Sequence, residues 1–298
     1  MKRFLFINCI RGEGLRRSPK SETNSSGERN TPLLAAGYFI FFFLVCCTGR
    51  EIPAQTVSGQ NIPGIKEKVS RVLAAAEIPP SLGRKIEENV SGRIENSSFL
   101  SQLEAILKND DPYLRLLVDK QRPLPEDYEP KDLMELRYKS YRAGITDVMM
   151  LRRKAEEALE EMAAAAKSAG LTLTVSSAYR SYQYQIGSFE RWTARLGLKE
   201  AERVSARPGR SQHQLGLAVD FGSITNDFAQ SAAGKWIAAN AARFGFSLSY
   251  PKGYEELTGY NWESWHYRYV GRDIIEFINT WFNGIQHYAM RFMYEWER

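Results

Sequence analysis

Apolar positions along this chain follow three different patterns. The first is one unbroken run at 33–47 (LLAAGYFIFFFLVCC). It is short for a membrane span of roughly 20 residues, but with positive charges ahead of it the run suits the core of an export signal. The second pattern is helical. Between 66 and 108, Val69, Val72, Leu73 and Ala76 share one face, Pro79-Pro80 interrupts, and Ile86, Val90 and Ile94, then Phe99, Leu103, Ile106 and Leu107, predict further short helices. A long helix is expected over about 146–168, with Leu151, Ala155, Ala158, Leu159, Met162 and Ala166 as its buried stripe and Gly170 as its C-cap. Shorter helices are expected over 185–196, 201–204 and 235–244. A terminal aromatic helix spans 272–298, where Ile274, Ile278, Trp281, Ile285, Tyr288 and Phe292 fall at spacings of three and four. The third pattern is alternation. Leu171, Leu173 and Val175 predict one strand, and Leu215, Leu217, Val219 and Phe221 another. Strands are also expected over 246–250 and 262–270. Residues 122–130 are punctuated by three prolines and must cross the surface as an extended arm.

Composition sharpens this picture at the N-terminus. Residues 1–47 carry seven Lys/Arg against three Glu, which leaves 33 against 32 for the remainder. The basic balance therefore belongs to the leader, and the neutral body argues against nucleic acid as a partner. All three cysteines (Cys9, Cys46 and Cys47) also lie in that leader. The body has no disulfide framework and no cysteine metal site, so any metal there must be held by histidine and carboxylate. The end of the apolar run, Leu44-Val45-Cys46-Cys47, loosely resembles a lipoprotein cleavage site. Cys46 or Cys47 is the candidate lipid attachment point, beside a cleaved signal or an uncleaved anchor.

The chain contains three histidines. His213 and Asp220 lie in SQHQLGLAVD at 211–220, and His266 lies in ESWH at 263–266. Two imidazoles and one carboxylate can hold zinc with a position left for water. Glu263, three residues before His266, is the candidate general base. On a regular strand His213 and Asp220, seven residues apart, would point to opposite faces. A bend near Gly216 must intervene if both hold one metal. Arg180 follows a strand end in SSAYRSYQYQ and is the candidate cation for an oxyanion or a substrate carboxylate. His287, among the aromatics of the terminal helix, is assigned a structural role. The missing G-x-S-x-G and the shortage of histidines argue against serine hydrolysis.

These motifs resemble the LAS group of zinc peptidases, named for lysostaphin, D-alanyl-D-alanine carboxypeptidases and sonic hedgehog. Within it the chain is similar to the VanY-type D-alanyl-D-alanine carboxypeptidases. The resemblance runs over about 117–271. It rests on S-x-H-x-x-G-x-A-x-D, E-x-W-H, the LPEDY arm at 124–128, SAYRSYQYQ at 177–185 and ARPGRS at 206–211. It implies an α+β fold, with a small central antiparallel sheet carrying the site and helices around it, preceded by a helical N-terminal segment. It implies one zinc ion held by His213, Asp220 and His266, Glu263 as base, and Arg180, Gln185 and Ser211 as substrate-binding residues, with Arg180 close to the developing charge. Gln212 stands where a Glu is frequent in the family, and Ala178 where a Gly is.

The implied reaction removes the terminal D-alanine from peptidoglycan stem peptides, outside the cytoplasm. The alternatives are an L,D-carboxypeptidase acting on tetrapeptide stems and a non-catalytic wall-binding module. The division expected is a leader over 1–49, a linker and helical spacer over 50–112, the catalytic domain over 113–275, and a C-terminal amphipathic helix over 276–298 packed on it. A monomer in the cell envelope or periplasm, associated with the membrane through its N-terminal segment, completes the expectation.

Overall fold

The computed structural model describes residues 62–92, 96–138, 140 and 148–298. The apolar run with Cys46 and Cys47, the linker up to residue 61, Ile94 and the predicted helix start at Thr146 lie outside the described residues. Among those described, no helix is long and apolar enough to cross a membrane.

The chain opens with three helices: α1 (Ile62–Ala75), α2 (Pro80–Ser91) and α3 (Ser98–Leu107). Pro80 sits where a helix has no use for an amide proton, and the Ser97 side chain caps α3 by accepting from Leu100 N. A two-stranded ribbon follows, β1 (Leu133–Glu135) with β2 (Met150–Arg152), then α4 (Arg153–Ser168). The remainder is β3 (Val175–Ser177), α5 (Tyr182–Leu196), α6 (Leu198–Val204), β4 (Ala218–Phe221), α7 (Ala232–Asn240), β5 (Phe246–Leu248), the single turn α8 (Glu255–Thr258), β6 (His266–Tyr269), α9 (Arg272–Trp281) and α10 (Gln286–Trp296).

The main sheet is antiparallel throughout, in the order β3-β4-β6-β5. Its register places Asp220 directly opposite His266, and Ala218 opposite Arg268. Two residues 46 positions apart in sequence thus stand side by side. This is the expected α+β architecture.

The local readings need several corrections. The helix expected from about 146 begins only at Arg153, because Met150–Arg152 pairs with Leu133–Glu135, and Leu151 buries its side chain from a strand. Strand β3 starts at Val175, later than the alternation from Leu171 indicates. The stretch 212–221 is not one strand: a 3-10 turn (Gln212–Leu215) ends at Gly216, and β4 begins at Ala218. The strand expected over 262–270 is β6 alone, so Glu263 lies in the turn ahead of it. The terminal helix is two helices, broken where Asn283 and Gly284 take φ of 51° and 76°. Its regular apolar spacing persists across the break because both helices turn the same face inward.

The first three helices, expected as a spacer, pack into the core. Phe99 of α3 is fully buried, with its ring centroid 5.2 Å from Phe277, 5.3 Å from Trp281 and 5.3 Å from Phe292. Val69, Val72, Ile86 and Val90 join the same core as Val219 and Phe221 of the sheet. The apolar faces of α1–α3 need a cover, and α9 and α10 provide it.

The arm at 122–130 lies over the metal-motif turn. Leu124 N donates to Gly209 O at 2.7 Å, and Gln214 Nε2 donates to the carbonyls of Pro125 and Tyr128 at 3.1 and 3.2 Å. Beneath it, Gly216 at φ 67° makes the reversal between His213 and Asp220. A Cβ there would sit 2.9 Å from Leu133 Cδ2 and 3.0 Å from Arg152 Cγ. Gly216→Ala therefore meets both a left-handed backbone penalty and a steric one. It should lower stability by about 2–4 kcal/mol, read as a shift in the denaturant midpoint.

Candidate metal centre and active-site cavity

His213, Asp220 and His266 arrive from different local structures. Ser211 opens the 3-10 turn by accepting from His213 N at 3.3 Å, which orients the first imidazole. Asp220 and His266 come from paired strands. All three are buried, and one donor atom from each lies within 4.8 Å of the others. The two imidazole rings stand edge to face, with centroids 4.8 Å apart.

Hydrogen bonds behind each ring decide which nitrogen faces the cluster. His213 Nδ1 lies 2.6 Å from the Ala178 carbonyl, which can only accept, so the proton is on Nδ1 and the Nε2 lone pair is free. His266 Nε2 lies 3.2 Å from Gln212 Oε1, again an acceptor, so the Nδ1 lone pair is free. Those free nitrogens point at Asp220: His213 Nε2 is 3.2 Å from Oδ2, and His266 Nδ1 is 3.0 Å from Oδ1. Despite these separations, His213 Nε2 and Asp220 Oδ1 are buried without a hydrogen-bond partner. Three acceptors converge with no proton between them, an arrangement that a cation satisfies. Tetrahedral zinc with ligand bonds near 2.0–2.1 Å keeps its donors roughly 3.3 Å apart, so the two imidazole–carboxylate separations fit.

Burial, with Arg180 beside it, pushes the His213 imidazole down to about 4, so it is neutral and available as a ligand. Burial alone would raise the Asp220 carboxyl. A protonated imidazole at His213 or His266 would outweigh that and hold it below the ordinary carboxylate range.

Glu263 Oε2 stands 3.7 Å from His266 Nδ1. Burial pushes its carboxyl well above the ordinary range, the Asp220 carboxylate adds to the push, and Arg180 opposes it. Arg180 Nη1 approaches Asp220 Oδ2 at 3.8 Å and accordingly sits on the same side of the cluster. Its guanidinium is held by Ser177 Oγ at 3.0 Å and Gln185 Oε1 at 3.1 Å.

These groups open into a cavity of about 330 Å³. Arg180, Ser211, His213, Asp220, Glu263 and His266 line it, so six of the seven residues singled out in the sequence meet there. The seventh, Gln185, does not line the cavity. It is fully buried, with Nε2 donating to Ala206 O at 2.7 Å, and it stands behind Arg180. His287 is elsewhere, with Nε2 4.0 Å from Asp119 Oδ2. The sequence reading missed the aromatic wall: Trp192, Tyr250, Tyr260, Trp262 and Trp265 also line the cavity. Tyr250 packs against His266 with ring centroids 4.8 Å apart and planes tilted by 44°. The density of aromatics over 250–267, flanking the second ligand motif, is the signal that could have found all of them but Trp192.

Two donor-bearing strands, with a base and an arginine beside them, make up the layout of a metallopeptidase. A family model described as VanY, D-alanyl-D-alanine carboxypeptidase, matches residues 148–272. YodJ of Bacillus subtilis (strain 168), provisionally named a carboxypeptidase, is 39% identical over 170 residues, spanning 54% of this chain and 62% of that protein. The chain thus covers less than two thirds of that relative's length. A D-alanyl-D-alanine carboxypeptidase of Enterococcus faecalis (strain ATCC 700802 / V583) is 31% identical over 215 residues, covering 67% of this chain and 74% of that one. The solved structure of the LdcB LD-carboxypeptidase matches with a TM-score of 0.52 at 34% identity, over 59% of this chain and 89% of that chain. The chain belongs to the VanY family of D-alanyl-D-alanine carboxypeptidases.

The ligand assignment makes a direct prediction. His266→Ala removes one of three donors and should abolish stoichiometric zinc in metal analysis of the purified protein, while His287→Ala leaves it intact.

Proposed function

We propose that this protein is a zinc-dependent D-alanyl-D-alanine carboxypeptidase that removes the terminal D-alanine from peptidoglycan stem peptides. The observation that carries the reading is the convergence of His213 Nε2, His266 Nδ1 and Asp220 beside Glu263 in one cavity. Zinc bound there supplies Lewis acidity, lowering the pKa of water and polarising the scissile carbonyl.

The chain's own residues supply the rest. Glu263, with an affinity for protons raised by burial, takes a proton from the attacking water and delivers one to the leaving amine. Arg180 presents a fixed guanidinium to the substrate carboxylate or to the oxygen that gains charge. Gln185 keeps that guanidinium from swinging away, since its amide is bonded on both sides. Ser211 holds the His213 turn from within the cavity wall. The tryptophans narrow the cavity around the peptide and limit water.

A second reading, cleavage of the L,D bond of tetrapeptide stems, is supported by the likeness to LdcB. The expected setting of either reaction is the cell envelope, with the apolar run 33–47 directing export or anchoring the chain at Cys46 or Cys47.

Matched muropeptides with pentapeptide and tetrapeptide stems, analysed by mass spectrometry, separate the readings. Loss of alanine from the pentapeptide alone, abolished by a chelator, is the expected result. Loss from the tetrapeptide assigns the L,D bond, and loss from neither removes the carboxypeptidase reading. Glu263→Ala should retain zinc yet turn over more than about 10²-fold more slowly. Near-normal turnover would take the base role away from Glu263.

A further inference from the structure

The matched family region ends at residue 272, but a polar side chain from beyond it reaches the back of the metal centre. Gln286 is the first residue of α10 and is buried at 2% exposure. Its Oε1 lies 3.4 Å from Gln212 Nε2. Its Nε2 lies 3.3 Å from Ser249 Oγ and 3.4 Å from Ser247 O. Ser249 Oγ in turn donates to Gln212 Oε1 at 2.7 Å. The bonds to Gln286 are long, but they close a ring: Gln212 donates to Gln286, Gln286 to Ser249, and Ser249 back to Gln212. All three side chains are buried.

This ring has a chemical consequence. A carboxamide can present either its oxygen or its NH₂ to a neighbour. With oxygen toward His266, as here, the imidazole proton stays on Nε2 and the Nδ1 lone pair faces Asp220. With NH₂ toward His266, the imidazole would have to accept at Nε2 and carry its proton on Nδ1, where it cannot be a ligand. Ser249 gives the Gln212 oxygen a donor, and Gln286 gives the Gln212 nitrogen an acceptor. A glutamate at 212 has no NH₂ to place and would not need Gln286.

We propose that Gln286 is a positioning residue for the metal ligand His266, acting through Gln212, so that the C-terminal helix is part of the outer support of the metal site. The proposal rests on the zinc reading above. Outer-shell partners of metal-bound histidines typically contribute about 10–100-fold in metal affinity.

The test is zinc affinity of the full chain by competition with a chromophoric chelator, with circular dichroism to check the fold. Wild-type protein should bind one zinc, and Gln286→Met, similar in size but without the amide, should bind it about 10–100-fold more weakly. In a Gln212→Met background, the Gln286→Met effect should largely vanish. Gln286→Glu keeps the acceptor for Gln212 Nε2. It should stay within about threefold of wild type, which guards against a methionine variant that fails to fold. Wild-type affinity in Gln286→Met, full additivity with Gln212→Met, or a Gln286→Glu loss as large as that of Gln286→Met would each overturn the proposal. A wild-type protein that binds no zinc would instead bring down the zinc reading, and this inference with it.

Discussion

The positions of two protons govern this site. The Ala178 carbonyl takes the proton of His213 on Nδ1, and Gln212 Oε1 takes that of His266 on Nε2. What remains is a lone pair on each imidazole, turned toward a carboxylate that is itself an acceptor. In a buried pocket three such atoms repel one another unless something positive lies among them. Had either backing group been a donor, the same three residues would form an ordinary hydrogen-bonded histidine–aspartate cluster. The metal site is therefore specified as much by the acceptors behind the rings as by the rings themselves.

The fold delivers these atoms with little regular structure. The main sheet has strands of only three or four residues, yet the β4–β6 register suffices to set Asp220 beside His266. His213 needs a different device, because it is on the same chain segment as Asp220 but must reach the cluster from another direction. The 3-10 turn and left-handed Gly216 achieve this, and the arm at 122–130 clamps the turn through Gln214. Arg180 is bound to the same segment, its backbone N donating to His213 O at 3.3 Å. Ligand turn and arginine accordingly share one frame, which fits the need for a preorganised site.

Much of the chemistry was legible in the sequence because histidine is scarce here and each candidate stands beside a carboxylate. The opposite-face objection to His213 and Asp220 was also sound physics, and Gly216 answers it where a bend was required. The boundaries were less legible. Alternation through Leu217, Val219 and Phe221 is real, but it extends backward through Leu215 into a turn that happens to place an apolar side chain inward. The helical spacing of the last 27 residues runs unbroken through Asn283-Gly284, and only that dipeptide's turn chemistry marks the break. Gln185 illustrates a different limit. Its nearness to Arg180 in sequence shows that the two belong together, but not which one faces the substrate; burial decides that. The aromatic wall and the Gln212–Gln286 contact depend on nonlocal packing that no local pattern contains.

The helices outside the family match complete the same body. A four-stranded sheet this short buries too little surface to stand alone, and both of its neighbours in sequence supply cover. α9 and α10 follow directly from β6, and α1–α3 pack on them through the Phe99 cluster. Arg268 ties the segment after α3 to the sheet. It is fully buried, lies two residues after His266 on the same strand face, and donates to the carbonyls of Tyr113 and Leu114 at 2.9 and 3.2 Å. Burial lowers its guanidinium to about 10, so it stays charged at neutral pH. A buried cation whose hydrogen-bond partners among the described residues are carbonyls is costly to place and more costly to leave unpaired. The turn at Pro112–Leu114 is thereby held against the strand that carries His266, and the N-terminal helices inherit a fixed position relative to the site.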